Sequence, residues 1–224
     1  MKSTALIALI ACLLYASPAM AYIDPGSGSA IISAVIGSSV GLVSGYVGGW
    51  GDNLLQRFTE LVMTFPTFFA IIIVISLLGP SIFNVMYVIG VFGWTGTSRL
   101  VRGQVLSIKE MEYVTAARAV GATDRRVAFV HVFPGVVPFV IVSATLTLAG
   151  AILTESALSF LGLGAVLPTA TWGNMMTAAQ GLHVLKTQPW LWAPPGLAIS
   201  LTVLSVNFIG DGLRDALDPR QLLD

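Results

Sequence analysis

The residues able to do chemistry in this chain are few, and they are gathered. Six of its eleven Lys/Arg residues fall within 99–134: Arg99, Arg102, Lys109, Arg118, Arg125 and Arg126. Long apolar runs flank this polar, helix-prone insert. Nothing in the chain forms a catalytic constellation. His131 and His183 are far apart with no ligand-like neighbours, so no metal site is expected. The single cysteine, Cys12, excludes an intrachain disulfide framework. No glycine-rich phosphate loop ends in Lys-Ser/Thr, so the chain is not expected to bind ATP or any other cofactor itself. The chemistry left open is recognition: charges and small residues offered to a partner outside the apolar part of the protein.

Composition sets the setting for that insert. The 224 residues are 55% hydrophobic and 10% charged, with mean hydropathy +0.86. A soluble domain carries about a quarter charged residues, so the surroundings of this chain are lipid. Net charge is zero, which gives no electrostatic basis for nucleic-acid binding.

A helix needs about 20 apolar residues to cross the hydrocarbon core. Five regions qualify, at 30–47, 61–78, 82–94, 136–161 and 190–209, and a sixth apolar run occupies 5–15. Helices are the expected form, because isolated strands would leave backbone groups unpaired in lipid. The expectation is an all-α, polytopic membrane bundle of five to six helices. Residues 1–21 read either as a signal peptide ending Ala19-Met20-Ala21 or as an uncleaved first transmembrane helix, with 22–224 as the membrane domain.

Charge tests the topology. With Lys2 inside and Asp24 outside, the segments 48–60, 99–134 and 211–224 fall inside, and 79–81 and 162–189 fall outside. On this map only Lys186 among the eleven Lys/Arg residues faces outward, as the positive-inside rule requires. Trp190 and Trp192 then lie at the outer interface, where indoles prefer to sit. The protein is expected in a bacterial or archaeal plasma (inner) membrane, multi-pass, with its C-terminus cytoplasmic.

Within the insert, 109–120 has good helix formers and Gly121 is a C-cap candidate, since glycine accepts a left-handed backbone. Thr123 or Asp124 can cap a second short helix through His131, and Pro134 is expected to end it before the next span. Ala116, Ala117 and Gly121 give a small-residue surface that another protein's backbone could approach. Two readings stay open from physics alone: a docking platform, or a solvated loop that only fixes topology.

The run Thr115-Ala116-Ala117-Arg118-Ala119-Val120-Gly121, followed by His131-Val132-Phe133-Pro134, resembles the "EAA" loop of ABC-importer permeases. The glycine and proline spacing fits that motif. Thr115 stands in place of its Glu, His131 of its first apolar residue and Phe133 of its Leu. Further stretches strengthen the resemblance: Gly45-Tyr46-Val47-Gly48-Gly49-Trp50, Arg99-Leu100-Val101-Arg102-Gly103-Gln104, the run from Glu155 to Gly164, Trp172-Gly173-Asn174-Met175, and the run from Gly210 to Arg220. Together they are similar to the second permease subunit of di-/oligopeptide (or nickel) importers over about 41–220. The N-terminus departs from that pattern. Residues 1–38 lack the Gly/Asp/Arg-rich extracytoplasmic segment of such subunits, which points to a truncated, fused or rearranged member.

The resemblance implies a type I ABC importer membrane fold. It implies that the loop 99–134 is a coupling element docking on cytoplasmic ATPase subunits through Thr115, Ala116, Ala117, Arg118, Gly121 and Pro134, with ATP-Mg held by those partners. It also implies a second permease subunit and an extracytoplasmic substrate-binding protein meeting 162–189.

Three polar residues are pathway candidates. Glu155 is the only acid well inside an expected span, and intramembrane carboxylates are costly. Against a pathway role, it can sit near the outer interface with water in reach, or cap its own helical turn. Asn207 and Asp211 lie at the inner end of the last span, where hydrogen bonding to Arg214 is the competing reading. The glycine-rich stretch 41–49 reads as a helix-packing face. A non-transporting membrane scaffold derived from such a permease is the alternative function. A secondary transporter would carry inverted repeats and broken midplane helices, and neither is visible.

Overall fold

A computed structural model of the protein describes residues 25–165 and 169–217. The expected signal peptide or first helix at 1–21, the apolar run 5–15 and the Pro219-Arg220 end of the last motif lie outside the described residues. Every regular element among the described residues is helical: α1 (Pro25–Val47), α2 (Gly49–Thr64), α3 (Thr67–Leu78), α4 (Ile82–Ile108), α5 (Glu112–Ala119), α6 (Asp124–Arg126), α7 (Phe133–Phe160), α8 (Trp172–Met176), α9 (Leu182–Thr187) and α10 (Pro189–Leu217). A π-helical segment, Val127–Val132, joins α6 to α7, and a 3₁₀ turn, Thr177–Gln180, follows α8.

Helix α1 is rich in Gly and Ser, which are poor helix formers, so packing rather than propensity must hold it. Its glycines let it press against α4. A Cβ on Gly41 would lie 2.6 Å from the Ser98 carbonyl oxygen and 2.8 Å from Val101 Cβ. Gly37 meets Thr97 and Gly45 meets Val105 in the same way, and Gly90 of α4 receives Ile32 in return. Residue numbers rise together along both helices, so α1 and α4 run parallel. That is what the charge-based map requires of the first and third crossings. Helix α7 runs antiparallel to α4: Gly135 lies against Ile108, and Ser143 Oγ is 3.1 Å from Thr97 Oγ1. Helix α10 runs back along α7, with Gly210 against Thr145 and Leu146.

Among the described residues three helices are long and apolar enough to cross a membrane: α1, the continuous stretch 124–160, and α10. The pair α2–α3 makes a fourth if the two count as one broken span. Here the structure departs from the sequence reading. The span expected at 61–78 is broken at Phe65-Pro66, where the axis turns by 80°. Pro66 has no N–H to donate and forces Phe65 into an extended conformation, ψ 135°. The 12 residues of α3 cover only about 18 Å at 1.5 Å each, against a core of about 30 Å.

The span expected at 82–94 is also longer than read, since α4 continues to Ile108 over 27 residues. It buries Thr95, Thr97 and Ser98 as well as Val85, Val101 and Val105. A helix sheathed by α1, α3 and α7 does not need a continuous apolar surface.

The expected stop at Pro134 is absent. The second short helix of the insert runs through the π segment straight into α7. The Phe133 N–H reaches back to the Ala128 carbonyl. Pro134 directly follows this π segment, whose shifted hydrogen-bond register lets the helix continue past a residue with no N–H.

Candidate functional site

The insert is packed, not solvated. Val114 of α5 and Val127 and Val132 of the π segment join Leu42 of α1 and Val101 and Val105 of α4 in one buried cluster. Burying each such side chain is worth about 1.5–3 kcal/mol, so this cluster dominates the attachment.

Helix α5 ends in a Schellman turn. The Gly121 N–H donates to the Arg118 carbonyl at 2.9 Å and the Ala122 N–H to that of Ala117 at 3.1 Å. Gly121 has φ +86°, a conformation open to glycine and costly for a β-branched residue. The expected helix 109–120 is therefore Glu112–Ala119, because α4 takes Ile108 and a turn follows. Thr123 is the N-cap position of α6 by its backbone, with no side-chain cap bond.

The insert face turned from the bundle is apolar and small. Ala116 and Ala119 are exposed, and Val120 is 86% exposed. Thr115 and Arg118 flank them, also exposed, and Ala117 is half-buried. A cavity of about 540 Å³ separates the insert from the end of α1, lined by Tyr46, Arg118, Asp124 and Phe129 among others. Two contacts bridge it. The Tyr46 hydroxyl donates to Asp124 Oδ1 at 3.0 Å, and the Arg118 guanidinium lies 5.7 Å from the centre of the Tyr46 ring. A hydrogen bond of about 1 kcal/mol and a cation–π contact of about 0.5–1 kcal/mol orient the insert more than they hold it.

A second polar cluster ties three helices together where the map puts the cytoplasmic boundary. Asp52 of α2 accepts from Arg102 Nε at 2.7 Å and Nη2 at 2.6 Å. Ser44 of α1 also donates to Asp52, and Gln56 Nε2 donates to Ser44 Oγ at 3.0 Å. Lys109 Nζ donates to the Gly45 carbonyl at 3.1 Å. The hydrogen bonds from Arg102, more than any other cause, hold the Asp52 carboxyl below its ordinary range despite its burial. In return Asp52 raises the Arg102 pKa. Sequence reading missed Asp52 and Ser44. The available signal was an acid three residues after the Gly48-Gly49 break, opposite the expected arginine motif.

At the other end of the bundle the motif residues fold into a cap. Glu155 is 5% exposed, so the expectation that its carboxylate reaches water does not hold. It accepts from Ser159 Oγ at 2.7 Å, and Ser159 Oγ accepts from the Ala165 N–H at 3.3 Å. Asn174 Nδ2 donates to the carbonyls of Ala165 at 2.8 Å and Thr169 at 3.0 Å. Gly173 packs flat on Ser156, where a Cβ would lie 2.5 Å from the carbonyl oxygen.

Asn207 and Asp211 are not joined to this cap. They lie on α10, half-buried and exposed respectively. The expected bond to Arg214 is not formed: the ion pairs among the described residues are Asp52–Arg102 and Arg57–Glu60.

An all-helical bundle with several apolar helices, a packed, glycine-turned insert at one end and a polar cap at the other is the architecture of a membrane-spanning protein. The chain belongs to the family of binding-protein-dependent transport system inner membrane components, whose sequence model matches residues 37–222. It is 44% identical to the oligopeptide transport system permease protein OppC of Haemophilus influenzae, over 87% of this chain and 62% of that one. It is 42% identical to a putative peptide permease protein of Brucella ovis, over 88% and 65%. It is 41% identical to the dipeptide transport system permease protein DppC of Alkalihalophilus pseudofirmus, over 83% and 60%. The chain thus spans less than two thirds of the length of these relatives.

Proposed function

We propose that the chain is a membrane-spanning permease subunit of an ATP-driven importer of peptides or similar small solutes. It forms half of the pathway, and its loop around 113–134 docks on a cytoplasmic ATPase. The observation that carries this reading is the two-sided insert: Val114, Val127 and Val132 anchor one side in the bundle, while Ala116, Ala119 and Val120 leave the other side bare. ATP and Mg belong to the partner subunits. Closure of two ATPases pulls the insert, and the rigid join of insert to α1, α4 and α7 carries the pull into the bundle. This is a bistable element biased by nucleotide. A second permease subunit completes the pathway, and a substrate-binding protein meets the 162–189 face. Glu155 serves that cap in a structural role, and Asn207 and Asp211 remain pathway candidates at the opposite end. Residues 1–21 act as a signal peptide or first helix, and the C-terminus is cytoplasmic.

The test is co-expression with candidate ATPase, second-permease and binding-protein subunits from the same genome, followed by co-purification and labelled-peptide uptake in vesicles. The expected result is one complex whose uptake needs ATP. A complex that assembles fully and moves no solute would favour the scaffold alternative. Reporter fusions after Gly79, Arg126 and Lys186 are expected to read out, in and out.

A further inference from the structure

The geometry points to an anionic-phospholipid site between α2 and α4, in a polar cleft of about 340 Å³ lined by Asn53, Gln56, Arg57, Glu60, Arg99 and Arg102. Three arginines line it with one carboxylate, Glu60, and even with Asp52 behind Arg102 counted the cleft carries an excess positive charge. Arg102 is held by Asp52 and Arg57 by Glu60 at 3.0 Å. Arg99 is exposed, and its recorded contact is the Met63 sulfur at 3.5 Å. A thioether is a weak acceptor, so the Arg99 guanidinium keeps its donors for a phosphate oxygen, the geometry in which arginine excels.

The neighbouring surface says which phosphate. On α2 the polar lining recurs at Asn53, Gln56, Arg57 and Glu60. Immediately beside it, at the same three- to four-residue spacing, Trp50, Leu54, Phe58 and Leu61 form an exposed apolar stripe. A headgroup in the cleft therefore has Trp50 and Leu54 beside it, and its acyl chains pass Phe58 and Leu61 toward the apolar run that begins at 61. A free phosphate uses only half of this surface. The site lies at the level where the positive-inside map puts the cytoplasmic leaflet, whose anionic lipids draw basic residues. In this respect it rests on the orientation proposed above, though not on ATPase docking or transport.

The test uses the full chain purified in mild detergent and titrated separately with dioleoylphosphatidylglycerol and dioleoylphosphatidylcholine. Bound lipid is counted by native mass spectrometry. Wild type is expected to bind the anionic lipid roughly tenfold more tightly, and Arg99→Gln to lose about fivefold of that, the weight of one cation near such a surface. Binding of the zwitterionic lipid should not change. Arg57→Gln, which leaves Glu60 uncompensated, should act in the same direction and carries the test if Arg99→Gln does not fold. Lys186→Gln, on the opposite face, should have no effect. Equal binding of the two lipids, or wild-type selectivity in both arginine variants, overturns the site. Displacement of phosphatidylglycerol by millimolar inorganic phosphate overturns the lipid assignment in favour of a free anion. A reporter reading outward after Arg126 would sink the orientation while leaving the lipid result standing.

Discussion

Arg102 holds Asp52 by both prongs of its guanidinium, at 2.7 and 2.6 Å, across fifty residues of sequence. With the Ser44 hydroxyl on the same carboxylate, one acid joins α1, α2 and α4 just where α1 ends. Gly48 and Gly49, at φ +67° and +61°, are the break that lets α2 turn back and bring Asp52 to that point.

Asp52→Asn should lower thermal stability in detergent by about 1–2 kcal/mol, toward the low end for charged hydrogen bonds because Arg102 is partly exposed. The sign with pH follows from the depressed native pKa. Between the native value and the ordinary 3.8, the unfolded chain binds the extra proton, so stability falls as pH falls. Wild type should keep the full contribution above about pH 4 and lose it below, while Asp52→Asn stays flat in that window. Parallel melting profiles for the two from pH 6 to 3 would remove the ion pair from the account.

Glycines of α1 and α4 should differ sharply in tolerance. Gly41→Val puts a branched side chain where even a Cβ meets the Ser98 carbonyl at 2.6 Å, so the helices must separate. A sharp drop in folded protein is expected, readable by fluorescence-detected size exclusion. Gly103→Ala meets nothing within 4 Å and should be neutral or stabilising by about 0.5–1 kcal/mol through helix propensity. Equal abundance of both variants would mean that the α1–α4 contact is not close.

Gly121→Val strains the Schellman turn by about 1–2 kcal/mol, with no steric neighbour to add to it. Membrane abundance should be normal, while ATPase co-purification and substrate-stimulated hydrolysis fall. Arg118→Ala should weaken docking less, since a rim ion pair is worth about 0–1 kcal/mol. Normal binding and transport by Gly121→Val would reduce the insert to a topological loop.

Glu155→Gln keeps an acceptor for Ser159 and should leave folding nearly intact, with at most a modest loss of transport. Glu155→Leu removes that acceptor from a buried hydroxyl and should destabilise the cap by about 1–3 kcal/mol. Complete loss of uptake in a well-folded Glu155→Gln protein would promote Glu155 to the pathway.

The sequence by itself determined what depends on local composition and spacing. Apolar length marked α1, α7 and α10, and Gly121 announced a left-handed helix end. The Thr115–Pro134 spacing carried the family resemblance, because a motif is one-dimensional by nature. The break at Phe65-Pro66 was written in the proline, yet hydropathy averages across it and reports one span. Polar α4 was under-read for the opposite reason: a helix walled in by its neighbours no longer obeys the lipid rule that hydropathy encodes. Only the tertiary structure decided who meets whom. Asp52 finds Arg102, Tyr46 finds Asp124 across 78 residues, and Arg99 has no carboxylate partner among the described residues. These pairings are set by how closely α1 approaches α4 and where the insert folds back, and no local spacing encodes either.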